Sequence, residues 1–195
     1  MPVPPRSTGA CGAVLCVVAL GFPPARAVAQ SDPAGEACGS AARVVVAAAN
    51  APSARLAFLC LVNARRAAAG APPVVANRRL RHAAQGHSDD MVARRYFEHT
   101  APGGPGLVTR IRRSGYLRRT TSWALGEALG WAQGLIATPA ALMKAWMNSP
   151  PHKAVILDRH YREVGIGIAL GTPQAGRPDG VTVTLDFGVA RHGAR

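Results

Sequence analysis

Three side chains of this 195-residue sequence are candidates for chemistry. His99 comes directly before a loop rich in glycine and proline, so it lies where a helix ends. Glu127 is the only charged residue of the apolar segment 123–131, where an unpaired carboxylate would be costly. His152 follows two prolines at the start of a helix, whose positive end favours the neutral imidazole. A neutral imidazole can bind a metal or accept a proton.

Two histidines and one carboxylate form a donor set that can hold a divalent cation, most suitably zinc, with one position open for water. The same groups can also bind a small molecule, a lipid or an envelope polymer directly. Each residue also has a purely structural interpretation. His152 could be a polar residue near a helix start, and His87, on the apolar stripe of its helix, is best explained as a hydrogen-bonded core histidine.

Local sequence patterns of common enzymes are absent. The chain has no H-E-x-x-H, no G-x-S-x-G, no glycine-rich phosphate loop and no zinc ribbon of paired cysteines. Ser149, one helical turn before His152, is interpreted as a helix cap rather than as a nucleophile. The leading hypothesis is therefore a binding protein without turnover. The alternative is an extracellular hydrolase in which Glu127 acts as the base or a metal-bound water attacks.

The N-terminus is typical of an exported protein. Residues 1–29 indicate a secretory signal peptide, with Arg6 ahead of the apolar segment 10–20 and small residues before a cleavage site after Ala29. A retained membrane anchor is the alternative. No later segment is apolar for long enough to span a membrane. The mature protein is therefore expected to be soluble and secreted, either extracellular or in the cell envelope.

Two cysteines, Cys38 and Cys60, remain after this cleavage. Export places them in an oxidising compartment, so we expect them to form a disulfide. Closing this loop would stabilise the fold by about 3 kcal/mol. Two buried thiols are the alternative.

The formal net charge of +13 at pH 7 favours anionic partners, such as an acidic cell-surface polymer or acidic lipid headgroups. The arginines are scattered over the polar faces of the predicted helices, and aromatic residues are not interleaved with them. This pattern argues against a specific nucleic-acid groove. A third hypothesis is therefore a cationic envelope-interaction protein in which no cleft is active.

Apolar periodicity and capping residues predict one domain over residues 53–190. A flexible arm at residues 30–52 precedes it, and a short tail at residues 191–195 follows. The alternation of apolar and polar residues in the last strand indicates a sheet with one buried face, with Asp186 on the polar side as a minor candidate for the cleft. The predicted helices cover residues 53–69, 78–95 and 107–114 and two stretches within residues 138–158, and the predicted strands cover residues 123–131, 163–170 and 181–189.

Six segments resemble, in the same order, the motifs of the CAP superfamily. That superfamily comprises cysteine-rich secretory, antigen 5 and pathogenesis-related 1 proteins, also called SCP domains. Its bacterial, YkwD-like branch of secreted proteins is the most similar. The segments are LVNARR (61–66), HSDDM (87–91), YFEHTAPGG (96–104), GEALG (126–130), AWMNSPPHKAVIL (145–157) and YREVGIGIAL (161–170).

The resemblance implies an α+β fold, a three-layer α-β-α sandwich with a small antiparallel sheet and a central cleft. It also implies that two histidines and an acid meet in the cleft, where some members bind zinc or another divalent cation. Carried over motif by motif, these residues are His99, Glu127 and His152. The chain departs from the family pattern at Ala128, where asparagine is usual, and at residues 148–149, where animal members carry a second acid.

Overall fold

Four strands form one sheet that is the middle layer of the fold. The computed structural model describes residues 37–175 and 179–192. The strand order is β1-β3-β4-β2, so β2 and β1 are the edges. β4 pairs antiparallel with both of its neighbours, and β1 pairs parallel with β3. The strands are β1 (Val75–Ala76), β2 (Thr120–Gln133), β3 (Glu163–Leu170) and β4 (Gly180–His192).

Within the described residues, five α-helices cover the two faces of this sheet. One face packs against helices that share the larger core cluster: α1 (Ala51–Ala68), α4 (Pro139–Met147) and α5 (Pro150–Leu157). The other face packs against α2 (Arg78–Arg94) and α3 (Leu107–Arg113), which share a smaller cluster. This is the predicted three-layer α-β-α sandwich. The two-residue strand β1 was not predicted, and its parallel pairing with β3 makes the sheet mixed rather than wholly antiparallel.

Both faces of β4 are buried, whereas its alternating pattern had indicated one buried face. Its apolar residues face the larger core, and the alternate residues Thr182, Thr184 and Asp186 are fully buried as well. The hydroxyl of Ser88 in α2 donates to Thr184 Oγ1 at 2.9 Å, which places this second face under α2. The polar side of the strand is therefore covered by a helix rather than by water.

Two glycines of β3 allow the backbone of α2 to pack directly against the sheet. A Cβ at Gly165 would overlap the backbone of Leu80 and Arg81, and one at Gly167 would overlap the backbone of Ala84. Any larger residue at either glycine would push the helix away from the sheet.

A buried arginine joins α1 to the segment between α5 and β3. Arg66 is fully buried and donates to the carbonyl oxygens of Pro72 at 2.8 Å and Ile156 at 2.7 Å. It also donates to the carbonyl of Tyr161 at 3.1 Å. These bonds satisfy main-chain acceptors after α1 and around the end of α5, where the last helical carbonyls lack partners within the helix.

The described part of the N-terminal arm is packed. Cys38 and Cys60 form the predicted disulfide, with 5.7 Å between their Cα atoms. Ala42 and Val46 are buried in the larger core, and the Val46 N–H donates to the Ala137 carbonyl at 2.9 Å. Residues 37–50 therefore belong to the domain rather than to a loose arm.

Element boundaries differ slightly from the prediction. The first helix begins at Ala51 instead of after Ser53, because Pro52 is tolerated in a first helical turn. β4 extends through His192, into the predicted tail. The predicted signal peptide at residues 1–29, the arm residues 30–36 and the last three residues lie outside the described residues. No helix of the described part is long and apolar enough to cross a membrane.

Two glycines should respond in opposite ways to alanine. A Cβ at Gly130 would lie 2.8 Å from the Trp146 ring, so Gly130→Ala should lower the free energy of unfolding by about 1–3 kcal/mol. Gly86 is exposed within α2 with open space around it, so Gly86→Ala should raise that free energy by about 0.5–1 kcal/mol. Urea unfolding of both variants measures the difference. Effects of the same sign would contradict this account of the packing.

Candidate functional site

Two glycines on either side of Glu127, in the middle of β2, lie directly against aromatic rings. A Cβ at Gly126 would come within 2.5 Å of the Tyr161 hydroxyl, and Gly130 lies against Trp146. The Trp146 indole N–H also donates to a main-chain carbonyl of β2 at 2.7 Å. The glycines of the GEALG segment therefore let Trp146 of α4 and Tyr161 pack directly against the strand that carries the carboxylate.

Both carboxylate oxygens of Glu127 are engaged. His99 Nδ1 lies 2.8 Å from Oε1, and an Arg110 guanidinium N–H donates to Oε2. His87 Nε2 lies 4.0 Å from the same Oε2. The Glu127 side chain is only 2% exposed, so these partners replace water around a buried charge. Burial by itself raises the pKa of Glu127, but the His99 hydrogen bond and the positive charge of Arg110 outweigh it and lower the pKa.

Asp186 is the cross-strand neighbour of Glu127 in β4. It is fully buried, and no donor of the described residues reaches either of its carboxylate oxygens. Burial and the adjacent negative charge of Glu127 raise the pKa of Asp186 well above its usual range. A neutral Asp186 can donate its own carboxyl hydrogen to Glu127. The lowered pKa of Glu127 and the raised pKa of Asp186 therefore favour an ionised Glu127 beside a neutral Asp186.

Arg110 joins this carboxyl pair to the loop that presents His99. One of its guanidinium nitrogens donates to the His99 carbonyl at 2.8 Å and to the Pro105 carbonyl at 3.2 Å. The other terminal nitrogen reaches Glu127. The side chain is 8% exposed. The same cation thus neutralises Glu127 and holds the glycine- and proline-rich loop in place.

His99 is oriented by Glu127 and open to solvent. An ionised carboxylate can only accept hydrogen bonds, so the hydrogen at this contact lies on His99 Nδ1. The imidazole side chain is 62% exposed. The hydrogen bond that His99 donates to Glu127 is the largest cause of a raised His99 pKa, and it outweighs partial burial and the charge of Arg110.

His152 is held by Ser149. Its Nδ1 lies 2.8 Å from the Ser149 hydroxyl, which makes no capping hydrogen bond to the helix. Ser149 is therefore the N-cap residue of α5, as predicted, but its side chain does not make the capping hydrogen bond. One usual donor for such a cap would be the N–H of Pro151, which proline lacks. Burial lowers the pKa of His152, and the charge of His99 lowers it further, so the predicted neutral form has burial as its main cause.

His87 is the core histidine that its position on the apolar stripe predicted. It is 1% exposed, and its Nε2 lies 3.0 Å from the Glu98 carbonyl oxygen. Its Nδ1 lies 3.3 Å from the hydroxyl of Tyr96, which donates to Asp90 at 2.6 Å. Burial lowers the His87 pKa, which favours the neutral ring. This ring lines the site, with its Nε2 4.0 Å from Glu127 Oε2.

The structure brings His99 and Glu127 into contact and places His152 within electrostatic reach of His99. No group of three or more histidine, cysteine or acidic residues of the described chain is arranged to hold a metal ion. The predicted cation at His99, Glu127 and His152 stays a prediction. Each Glu127 oxygen already accepts a hydrogen bond and the side chain is 2% exposed, so an ion bound by Glu127 would have to reach a buried carboxylate.

Sequence reasoning missed Arg110 and gave Asp186 only a minor place. Arg110 was counted among the arginines of a polar helix face. Its helical position, between Leu107 and the buried Ile111, was the available signal, because residues three and four apart share one face. Asp186 was assigned to the polar side of its strand, and nothing in the local sequence shows that α2 covers that side.

Comparisons with known proteins agree with this fold. The profile of the cysteine-rich secretory protein family (CAP) matches residues 59–187. The chain is 31% identical over 107 residues to the "Uncharacterized protein YkwD" of Bacillus subtilis (strain 168), a match covering 55% of this chain and 39% of the relative. The chain therefore spans well under two thirds of that relative.

Two solved structures share the fold at low sequence identity. One is an extracellular protein containing a SCP domain from Bacillus anthracis str. Ames, with a TM-score of 0.53, 23% identity, and coverage of 69% of this chain and 39% of that one. The other is an outer surface protein from Borrelia burgdorferi, with a TM-score of 0.55, 16% identity, and coverage of 72% and 93%. At these identities the likeness concerns the fold.

Removing the Arg110 charge should expose the cost of the buried carboxylate. Arg110→Met should lower the free energy of unfolding by about 3–5 kcal/mol, because it leaves Glu127 buried without its cation. The double variant Arg110→Met/Glu127→Gln should lose less than the sum of the single variants. Denaturant unfolding measures all three. Arg112→Met, at an exposed arginine of the same helix, is the control and should change stability by no more than about 0.5 kcal/mol. Additive losses would contradict the coupling.

The two site histidines should titrate on opposite sides of the ordinary value of about 6.5. NMR titration should find the His99 pKa above that value and the His152 pKa below it. The stabilisation from His99 should be fully present below its unfolded pKa and be lost as the pH rises through its folded pKa. Glu127→Gln should lower the His99 pKa, because the negative partner is gone. A His99 pKa at or below that of His152 would contradict the assignment.

Proposed function

The chain belongs to the cysteine-rich secretory protein (CAP) family, and we propose that it is an exported binding protein whose ligand is held at His99 and His152. One observation carries the proposal. Glu127 accepts a hydrogen bond from His99 Nδ1–H, which leaves Nε2 of this exposed ring for a ligand. A side chain locked on one side and open on the other is pre-organised for binding.

His152 supplies a second imidazole of the same kind. Ser149 engages its Nδ1, so Nε2 is the nitrogen left to meet a ligand. The charge on His99 lowers the His152 pKa, so the two rings are close enough to interact electrostatically. A ligand with lone pairs, or an anionic group facing the protonated His99, fits these two nitrogens.

A divalent cation, most suitably zinc, is the second part of the proposal. Neutral His99 carries its hydrogen on Nδ1, so its lone pair lies on Nε2, as in histidines that bind a metal while a carboxylate orients them. His99 and His152 would hold the ion, and Glu127 would orient His99 from behind. Bound there, the ion would supply positive charge for an anionic group of the ligand.

Binding without turnover is favoured by the state of Glu127. A general base needs a free oxygen and a pKa near the working pH, whereas both Glu127 oxygens are engaged and its pKa is lowered. Ser149 and His152 are in contact, as a serine nucleophile and its histidine base would be in a hydrolase. A working triad also needs a third group that orients the imidazole, and no side chain of the described residues hydrogen-bonds the other His152 nitrogen.

Export is supported by the disulfide between Cys38 and Cys60, because structural disulfides are rare in a reducing cytoplasm. The similar solved proteins are named as an extracellular protein and an outer surface protein. We propose that residues 1–29 direct this chain to the same kind of location.

Zinc titration by calorimetry tests the site. Wild-type protein should bind one zinc ion, and His99→Ala and His152→Ala should each bind it at least about tenfold more weakly. Glu127→Gln should lose about 10- to 100-fold, as expected for a residue that orients a ligand of the metal.

His82→Ala is the matched control, since His82 is an exposed histidine outside the site. The zinc affinity of this variant should equal that of the wild type. Equal zinc affinity in the wild type and in both site variants would contradict the proposal that a cation binds at these histidines. Ester hydrolysis that disappears in Ser149→Ala would replace binding by catalysis.

A further inference from the structure

The strands β2 and β4 continue as a two-stranded ribbon beyond the start of β3. Glu163, the first residue of β3, pairs with Gly188, so the last residues of β4 pair only with β2. The Tyr161 ring covers one face of the ribbon at Gly126 and stacks on Phe187, with 5.7 Å between ring centroids. Beyond this ring the same face of the ribbon is open to solvent.

A shelf of about 430 Å³ lies on this open face, within the range of roughly 300–1,000 Å³ that ligand sites occupy. Ala124 and Val189 are half-buried cross-strand neighbours and form its floor. Ser122 and Arg191, the next pair on that face, are exposed and carry the shelf to the end of the ribbon. None of its lining residues belongs to the histidine site.

Trp123 supplies an exposed aromatic ring at this shelf. It lies in the edge strand β2 and is 42% exposed, whereas Trp146 is 2% exposed and donates its indole N–H to a core carbonyl. The face of an aromatic ring is negative and attracts the slightly positive C–H groups of a sugar ring. An indole exposed at the edge of a sheet is therefore a surface on which a sugar ring can stack.

Arg162 and Arg191 give the shelf uncompensated positive charge. No acidic residue is among the described residues that line it, and no ion pair within residues 37–175 and 179–192 includes either arginine. Asp158, in the turn before β3, is engaged by His160, whose main-chain N–H and ring Nδ1 each lie 2.8 Å from its Oδ1. The shelf therefore favours a ligand that brings its own negative charge.

Arg162 is held with one edge of its guanidinium free. Its Nη1 donates to the main-chain carbonyls of Arg159 at 2.5 Å, Tyr161 at 2.9 Å and His160 at 3.2 Å. Within the described residues, its Nε and Nη2 make no hydrogen bond. These two N–H groups share one edge of the planar group, and that edge matches the two oxygens of a carboxylate.

We infer that this shelf binds a polysaccharide whose sugars carry carboxylates, a uronic-acid polymer. One sugar ring stacks on Trp123, the carboxylates pair with Arg162 and Arg191, and the Ser122 hydroxyl bonds a sugar hydroxyl. A neutral sugar leaves the arginines without counter-charge. An acidic peptide lacks the flat C–H face that the indole offers to cover. The inference does not depend on the ligand proposed for His99 and His152.

Trigalacturonate, its full methyl ester and triglutamate separate these contributions. The ester keeps the sugar rings without the charge, and triglutamate keeps the carboxylates without the rings. Calorimetry on the full chain should show binding of trigalacturonate, and the other two should each bind at least about tenfold more weakly. Absent binding of trigalacturonate, or equal binding of the ester, would overturn the inference. Equal binding of triglutamate would make the shelf a site for acidic peptides instead.

Matched variants locate the site. Trp123→Ala and Arg191→Glu should each weaken trigalacturonate binding at least about tenfold. Both positions are exposed, so these variants are expected to fold. Phe97→Ala removes an aromatic ring of nearly equal exposure, 41%, and Arg112→Glu makes the same charge change on α3. These two controls should bind as the wild type does. Shelf variants that bind normally, or controls that lose equally, would overturn the inference.

Two further measurements separate the shelf from the rest of the molecule. In NMR spectra, trigalacturonate should shift the indole N–H resonance of Trp123 and leave that of the buried Trp146 unchanged. The double variant His99→Ala/His152→Ala should keep its trigalacturonate affinity. Loss of binding in that double variant, with an unchanged Trp123 resonance in the wild type, would place the sugar at the histidines and overturn the inference.

Discussion

The buried charge of Glu127 is the constraint on which the site depends. A carboxylate removed from water is unstable unless other groups take over its hydration. Arg110 supplies the opposite charge, His99 supplies a hydrogen bond at 2.8 Å, and Asp186 stays neutral beside it. These partners come from α3, from the loop after α2 and from β4. One charge therefore joins three separate parts of the chain.

Close packing around the sheet makes this arrangement possible. Gly126 and Gly130 let Tyr161 and Trp146 lie directly on β2, on either side of Glu127 in sequence. Gly165 and Gly167 do the same for α2 on β3. At these positions a side chain would displace a neighbour, so the glycines set the distances between layers. The orientation of His99 follows from these distances, since its partner is fixed by the strand.

Sequence patterns predicted the elements better than their environment. Helical periodicity located the helices and alternation located β3 and β4, whereas β2 was inferred from its glycines and its lack of a polar stripe, because all these patterns are local. They could not show that α2 covers the second face of β4, which turned Asp186 from a residue on a polar face into a buried acid. Arg110 was hidden for a related reason. A buried arginine that pairs with an acid on another element looks, in sequence, like any exposed arginine. The motifs brought His99, Glu127 and His152 together as a group, whereas only coordinates show that Glu127 faces inward and His99 outward.

The state of the carboxyl pair tests the central claim most directly. Carbon-13 NMR of the Glu127 and Asp186 carboxyl carbons, followed over pH, reports the charge of each group separately. Our account predicts that Glu127 stays ionised below its ordinary range, while Asp186 stays protonated at pH values where a solvent-exposed aspartate has lost its proton. Glu127 protonated at neutral pH beside an ionised Asp186 would contradict the account. In that case the carboxylate would not be the group that orients His99.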